Sequence, residues 1–178
     1  MADAEVGRER EALLGALQAA GADFIVIGGA ALQSHGQAYV TQDVDITPAR
    51  TEANLARLAA TLNTLRCRLV VDPADASQDV PVPAGYFTAS TLARQDVWNL
   101  MTVHGKLDIA FVPSGFAAGF DALRPRATDL VVALTSLRAL VAALEDVEHS
   151  KRLAGRPKDR RYLETVGRLR PPGTPPTG

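Results

Sequence analysis

The chain has a single cysteine, Cys67, so no disulfide can close within it. That composition suits a reducing compartment, and the expected location is the cytoplasm. Aromatic residues make up only 5% of the 178 positions, which excludes an extended platform for stacking bases. No apolar run approaches the roughly 20 residues of a membrane-spanning helix, so no membrane association is expected. The N-terminus lacks the basic-then-apolar order of a signal peptide. Charge of one sign is missing too. The net charge is −1, which does not mark the whole chain as a nucleic-acid binder but leaves room for a local basic patch. There is no internal repeat.

What is present is ordinary globular material, with 47% hydrophobic and 22% charged residues. The length suits one domain with a small helical appendage. Residues from Glu5 to Ala20 have the periodicity of an amphipathic helix carrying Leu13, Leu14 and Leu17 on one side, stopped by Gly21. Phe24 to Ile27 is a short apolar run that predicts a buried strand. Gly28-Gly29 turns the chain, and Ala30 to Ser34 suits a short helix. Asp43 to Ile46 alternates polar and apolar residues, as a strand does. Thr51 is the expected N-cap of a helix through Leu65, with Leu55, Leu58 and Leu62 at helical spacing. Arg68 to Val71 predicts a strand, Asp72 to Pro83 a surface loop, and Tyr86 to Ala89 a short strand. Val97–Val103 and Lys106–Val112 flank His104-Gly105 as a hairpin. Leu130 to Leu134 predicts a last strand. Thr135 or Ser136 is expected to cap a helix to Glu148, and Pro157 to open a final helix ending near Leu169. The order predicts an α/β (α+β) fold, a mixed sheet flanked by helices. Its expected divisions are a main domain over 1–134, a helical C-terminal extension over 135–170 and a disordered tail over 171–178.

Three aspartates stand out against this background. Asp43 and Asp45 alternate with apolar residues, so both leave a strand on the same face, with Cα atoms about 6.5–7 Å apart. Carboxylates at that spacing can bridge two divalent ions about 3.5–4 Å apart. Without a cation they repel, and one pKa rises. Asp108 has the same flanking pattern, between Leu107 and Ile109, on a strand that can neighbour the first. Magnesium suits such a set, because it takes carboxylate and triphosphate oxygens together. Gly28 and Gly29 lack Cβ atoms, so backbone there can approach a phosphate closely. Ser34 and Thr41 add hydroxyls nearby.

A glycine pair after an apolar strand, Asp-x-Asp about a dozen residues on, and a later strand carboxylate together resemble the nucleotidyltransferase superfamily, with its DNA polymerase β-like fold. The resemblance runs from about Phe24 to Val112. It implies Asp43, Asp45 and Asp108 as catalytic metal ligands for two Mg2+ ions. It implies Gly28 and Gly29 as contacts to a nucleoside triphosphate. More narrowly, Gly28-Gly29-Ala30-Ala31, Thr41-Gln42-Asp43-Val44-Asp45 and Ser150–Asp159 are similar to the AbiEii/MenT-like nucleotidyltransferases, which include toxins of type IV toxin–antitoxin systems. Arg160, Arg161 and Tyr162 occupy the stretch where those relatives carry a further acidic residue. Membership would imply transfer of a nucleotide to an acceptor such as the 3′ end of tRNA, and a cognate antitoxin as partner.

Lys151, Arg152, Arg156, Lys158, Arg160 and Arg161 form a dense basic cluster. Read plainly, it is a solvated helix face balanced by Glu145, Asp146 and Glu148. Read functionally, Lys151 meets the triphosphate and the others meet the phosphates of an RNA acceptor. His35 and His104 are read as polar surface groups, Cys67 as a small core residue, and Trp98 and Tyr86 as core, with a Tyr86 stack on the base as the functional alternative. The rival functions are an antibiotic-type nucleotidyltransferase with a small-molecule acceptor, and a non-catalytic nucleotide- or partner-binding module.

Overall fold

The computed structural model describes residues 2–72 and 75–169. The expected disordered tail over 171–178 lies outside them. Helix α1 (Ala2–Ala19) ends before Gly21, whose φ of +68° suits a residue without a Cβ. Strand β1 (Phe24–Ile27) leads straight into α2 (Gly28–Ser34), β2 (Val44–Pro48) and α3 (Glu52–Thr64). Thr51 caps α3 as expected, its side chain accepting the amide N–H of Asn54. Leu55, Leu58 and Leu62 on that helix are buried. Then come β3 (Arg68–Asp72), β4 (Asp75–Val80), α4 (Ala89–Leu92), and the hairpin β5 (Val97–Thr102) and β6 (Gly105–Ala110). The chain finishes with α5 (Phe120–Leu123), β7 (Thr128–Val131), β8 (Arg138–Val141), α6 (Leu144–Ala154) and α7 (Pro157–Leu169).

The eight strands form one mixed sheet in the order β4-β3-β5-β6-β2-β1-β8-β7. β2 pairs with β6 in parallel and with β1 antiparallel, and β1 pairs with β8 in parallel. The fold is therefore mixed α/β, with helices packed on a mixed sheet and two helices at its C-terminal end. No helix among the described residues is long and apolar enough to cross a membrane. The core joins α1 (Leu13, Leu14, Leu17), α3 and the central strands around Ile25, Ile46, Leu107 and Ile109.

Three expectations are corrected. The surface loop over Asp72–Pro83 contains β4, which among the described residues pairs with β3 alone, at the sheet edge. Its polar sequence, Asp75-Ala76-Ser77-Gln78-Asp79-Val80, carries no burial signal because an edge strand there need bury little. Tyr86–Ala89 is not a strand. Thr88 instead caps α4 in a reciprocal capping box with Thr91. The helix expected from Thr135 to Glu148 begins only at Leu144, because Arg138–Val141 is β8 and lies against β1. The sheet thus continues past residue 134, and the helical extension starts nine residues later than expected.

Candidate active site

Sheet register assembles the site. Ile27 on β1 stands opposite Asp45 on β2, Asp45 opposite Asp108 on β6, and Asp108 opposite Asn99 on β5. Residues in one register row leave the sheet on one face. All four line a cleft of about 390 Å³, closed by Val147, Ser150, Lys151 and Arg156 from the C-terminal helical region, and by Phe116 and Leu123.

Two of the three predicted carboxylates are therefore strand neighbours. Burial pushes the Asp108 carboxyl up to about 6, aided by the charge of Asp45 and opposed by Lys106. Asp45 is also raised, first by burial and then by Asp43, while Lys151, Lys158 and Arg156 pull it back. Asp43 lies just before β2 rather than within it, and is reached differently. The Lys106 ammonium stands 3.3 Å from Asp43 Oδ2 and 3.0 Å from Asp108 Oδ2. Among the described residues, no three acidic, histidine or cysteine side chains are gathered into a metal-binding group. The donors nonetheless suit a hard cation. They are carboxylate oxygens, and Asp108 Oδ1 is buried without a hydrogen-bond partner.

The glycine pair touches the site through its missing side chains. Gly28 has φ +63°, and a Cβ there would overlap the Asp45 carboxylate. A Cβ on Gly29 would stand 2.6 Å from Thr41 Cγ2 and 2.8 Å from Tyr39 Cε1. Both glycines are thus required by the chain's own packing, with or without a phosphate. Thr41 stands beside Gly29, as expected of a neighbour. Ser34 is turned to structural use. Its Oγ donates to Ala30 O and accepts the N–H of Ala133.

The basic cluster divides. Lys151 is only 4% exposed, its ammonium 2.8 Å from Asp159 Oδ1 and 4.3 Å from the Tyr39 ring centre. It also donates to the Tyr39 hydroxyl. Arg156 Nε lies 2.7 Å from Asp159 Oδ2. Burial alone would raise the Asp159 carboxyl, but hydrogen bonds from Lys151 and Arg156 prevail and lower it. Lys151 and Arg156 line the cleft, whereas Arg152, Lys158, Arg160 and Arg161 are exposed.

The chain matches no family model and no curated protein.

Sequence reasoning missed four participants. Lys106 occupies the alternate position two residues before Asp108, which already places it on the same face. Arg10 is fully buried on α1, donating to Gln33 Oε1, Ala133 O and Thr41 O. Its signal was its place on the Leu13-Leu14-Leu17 stripe, at helical spacing. Tyr39 had no local signal, since Lys151 and Tyr162 come from elsewhere in the chain; Asp159 had one in Arg156 three residues before it, but its bond to Lys151 needs α7 folded back on α6. Among the expected surface or core groups, Trp98 is buried and donates from Nε1 to Leu92 O. His35 Nε2 meets Ala142 O at 2.8 Å. Tyr86 packs edge-on against Phe87, away from the cleft-lining residues.

Proposed function

We propose that the chain is a metal-dependent nucleotidyltransferase, moving a nucleoside monophosphate from a nucleoside triphosphate to an acceptor hydroxyl. The observation that carries this reading is the register pair Asp45–Asp108, facing a cleft and packed against Gly28. Asp43, Asp45 and Asp108 are the residues that would hold magnesium. Bound there, the ion would neutralise triphosphate charge and polarise the acceptor hydroxyl.

The chain's own groups do the rest. Asp108, opposite Asp45 in the cleft, is the carboxylate placed to take the acceptor's proton. The acceptor oxygen attacks the α-phosphorus, the bond to the bridging oxygen breaks, and pyrophosphate leaves. Lys151 and Arg156 share one carboxylate, Asp159, so one positive charge remains for the departing phosphates. Gly28 keeps the chain close beside Asp45, and Asn99 presents an amide next to Asp108.

The exposed cations Arg152, Lys158, Arg160 and Arg161 favour an RNA acceptor, with the 3′ end of tRNA as the specific reading. A toxin role with a cognate antitoxin, in the cytoplasm, is the narrower reading that the resemblance adds to an RNA acceptor. A small-molecule acceptor is the second reading. It is favoured by the apolar part of the cleft, where Val97, Ile109, Phe116 and Leu123 could receive a compact molecule.

The deciding experiment incubates the chain and Mg2+ with each of four labelled nucleoside triphosphates, an RNA pool that includes tRNA, and an aminoglycoside. Label should pass to one acceptor, and folded Asp45→Asn and Asp108→Asn variants should lose at least a hundredfold in rate. Full transfer by either variant sinks the reading. The absence of any magnesium–nucleotide binding in calorimetry would leave the partner-binding module in its place.

A further inference from the structure

Among the described residues, Lys106 is the cation set between two members of the carboxylate cluster. It leaves β6 on the face that carries Asp108, and its side chain is 11% exposed. We propose that Lys106 fills one cation position of the cluster, so that the folded chain takes up one divalent ion there instead of two. This rests on the nucleotidyltransferase reading of the same site and deepens it.

Two arguments support the inference. The first is charge. The Lys106 ammonium already supplies positive charge beside both Asp43 and Asp108, and a second divalent ion there would stand against it in a partly buried site. The second is space. An ion shared by Asp43 and Asp108 would sit about 2.0–2.1 Å from their oxygens. The ammonium already lies 3.3 and 3.0 Å from one oxygen of each. What remains for an ion is Asp45 and the unpartnered Asp108 Oδ1, on neighbouring strands at one register position, with the other oxygen of Asp43.

The test counts Mn2+ bound by the full chain at neutral pH, without nucleotide, from the electron paramagnetic resonance signal of the free ion. Wild type should bind one ion, Lys106→Arg one, and Lys106→Met two. Two ions in wild type, or the same count in wild type and Lys106→Met, overturns the inference. Should Lys106→Met fail to fold, Lys106→Gln replaces it, and a measurement on wild type stands beside both. Lys106 should resist acetylation equally with and without Mn2+. Acetylation that accelerates fivefold or more on adding Mn2+ shows the lysine leaving, and overturns the proposal. Because no nucleotide enters these measurements, the two readings fail separately. A chain that binds ions as described but transfers nothing loses only the enzyme reading. One that transfers while binding two ions in wild type loses only this inference.

Discussion

At the scale of single residues, the site is held together against its own charge. The Asp108 carboxyl sits at about 6 in the folded chain, raised first by burial and then by Asp45. In the unfolded chain it returns to about 3.9. Between those values the folded state holds a proton that the unfolded state has lost, so stability falls as pH rises through the window. Above about pH 6 the full penalty is present. Melting followed in EDTA should therefore show Tm decreasing from pH 5 to 7, with added Mg2+ raising Tm more at pH 7.5 than at pH 5. Asp45→Asn removes the neighbouring charge. It should raise the metal-free Tm at pH 7.5, by about 2–4 °C for each kcal/mol of repulsion relieved. An unchanged or lower Tm would contradict the account of the carboxylate pair. Gly28→Ala should act in the opposite sense, costing about 1–3 kcal/mol in denaturant melts through its positive φ and the Asp45 overlap. Asp45 and Asp108 were legible because strand alternation puts acids on one face whatever the fold; Asp43 lies before β2, so alternation does not account for its place. Lys106 obeyed the same alternation, but its pairing with Asp43 depends on β2 lying beside β6, which adjacency in sequence does not reveal.

At the scale of elements, local signals worked wherever local chemistry decides. The Thr51 cap, the hairpin around His104-Gly105 and Pro157 at the start of α7 were all legible from a few residues. The misread stretch, Arg138–Val141, is rich in leucine and alanine and follows Thr135-Ser136, a plausible cap. Helix propensity lost there because β1 offers an unpaired parallel edge, and backbone pairing with Val26 outweighs a weak local preference. How elements are tied together was equally hidden. Asn54, fully buried on α3, accepts from Asp23 N and donates to Asp23 O and Ala49 O. It thereby fixes the residues just outside β1 and β2, the two strands that carry Gly28 and Asp45 to the site. Asn54→Ala leaves three backbone groups without those partners and should cost about 2–4 kcal/mol in urea unfolding. Asn54→Asp keeps the acceptor but sets a buried carboxylate against two carbonyl oxygens, so it should be at least as destabilising as Asn54→Ala at neutral pH.

At the scale of the whole molecule, the buried pair Lys151–Asp159 links the two C-terminal helices to the cleft. Lys151 belongs to α6, Asp159 to α7, and the Tyr39 ring between α2 and β2 covers the ammonium while meeting Tyr162 edge-on. Three separate stretches of chain are thereby joined by one charge pair, 4% and 0% exposed. Removing one member of such a pair leaves the other buried and uncompensated, at about 3–5 kcal/mol, whereas replacing both by apolar groups can be nearly neutral. Asp159→Leu alone should therefore be strongly destabilising. Adding Lys151→Met should recover most of that loss, with Arg156 still free to reach solvent from its exposed position. Because the folded Asp159 carboxyl is lowered, its contribution is present above the unfolded value of about 3.9 and fades as pH falls through the lower folded one. The penalty of Asp159→Leu should consequently shrink in strongly acidic buffer. Equilibrium denaturation of the two single variants and the double variant, at neutral and acid pH, measures the coupling directly. A double variant no more stable than Asp159→Leu would mean that α7 is held by its apolar contacts alone and that the pair does not join the helices to the site.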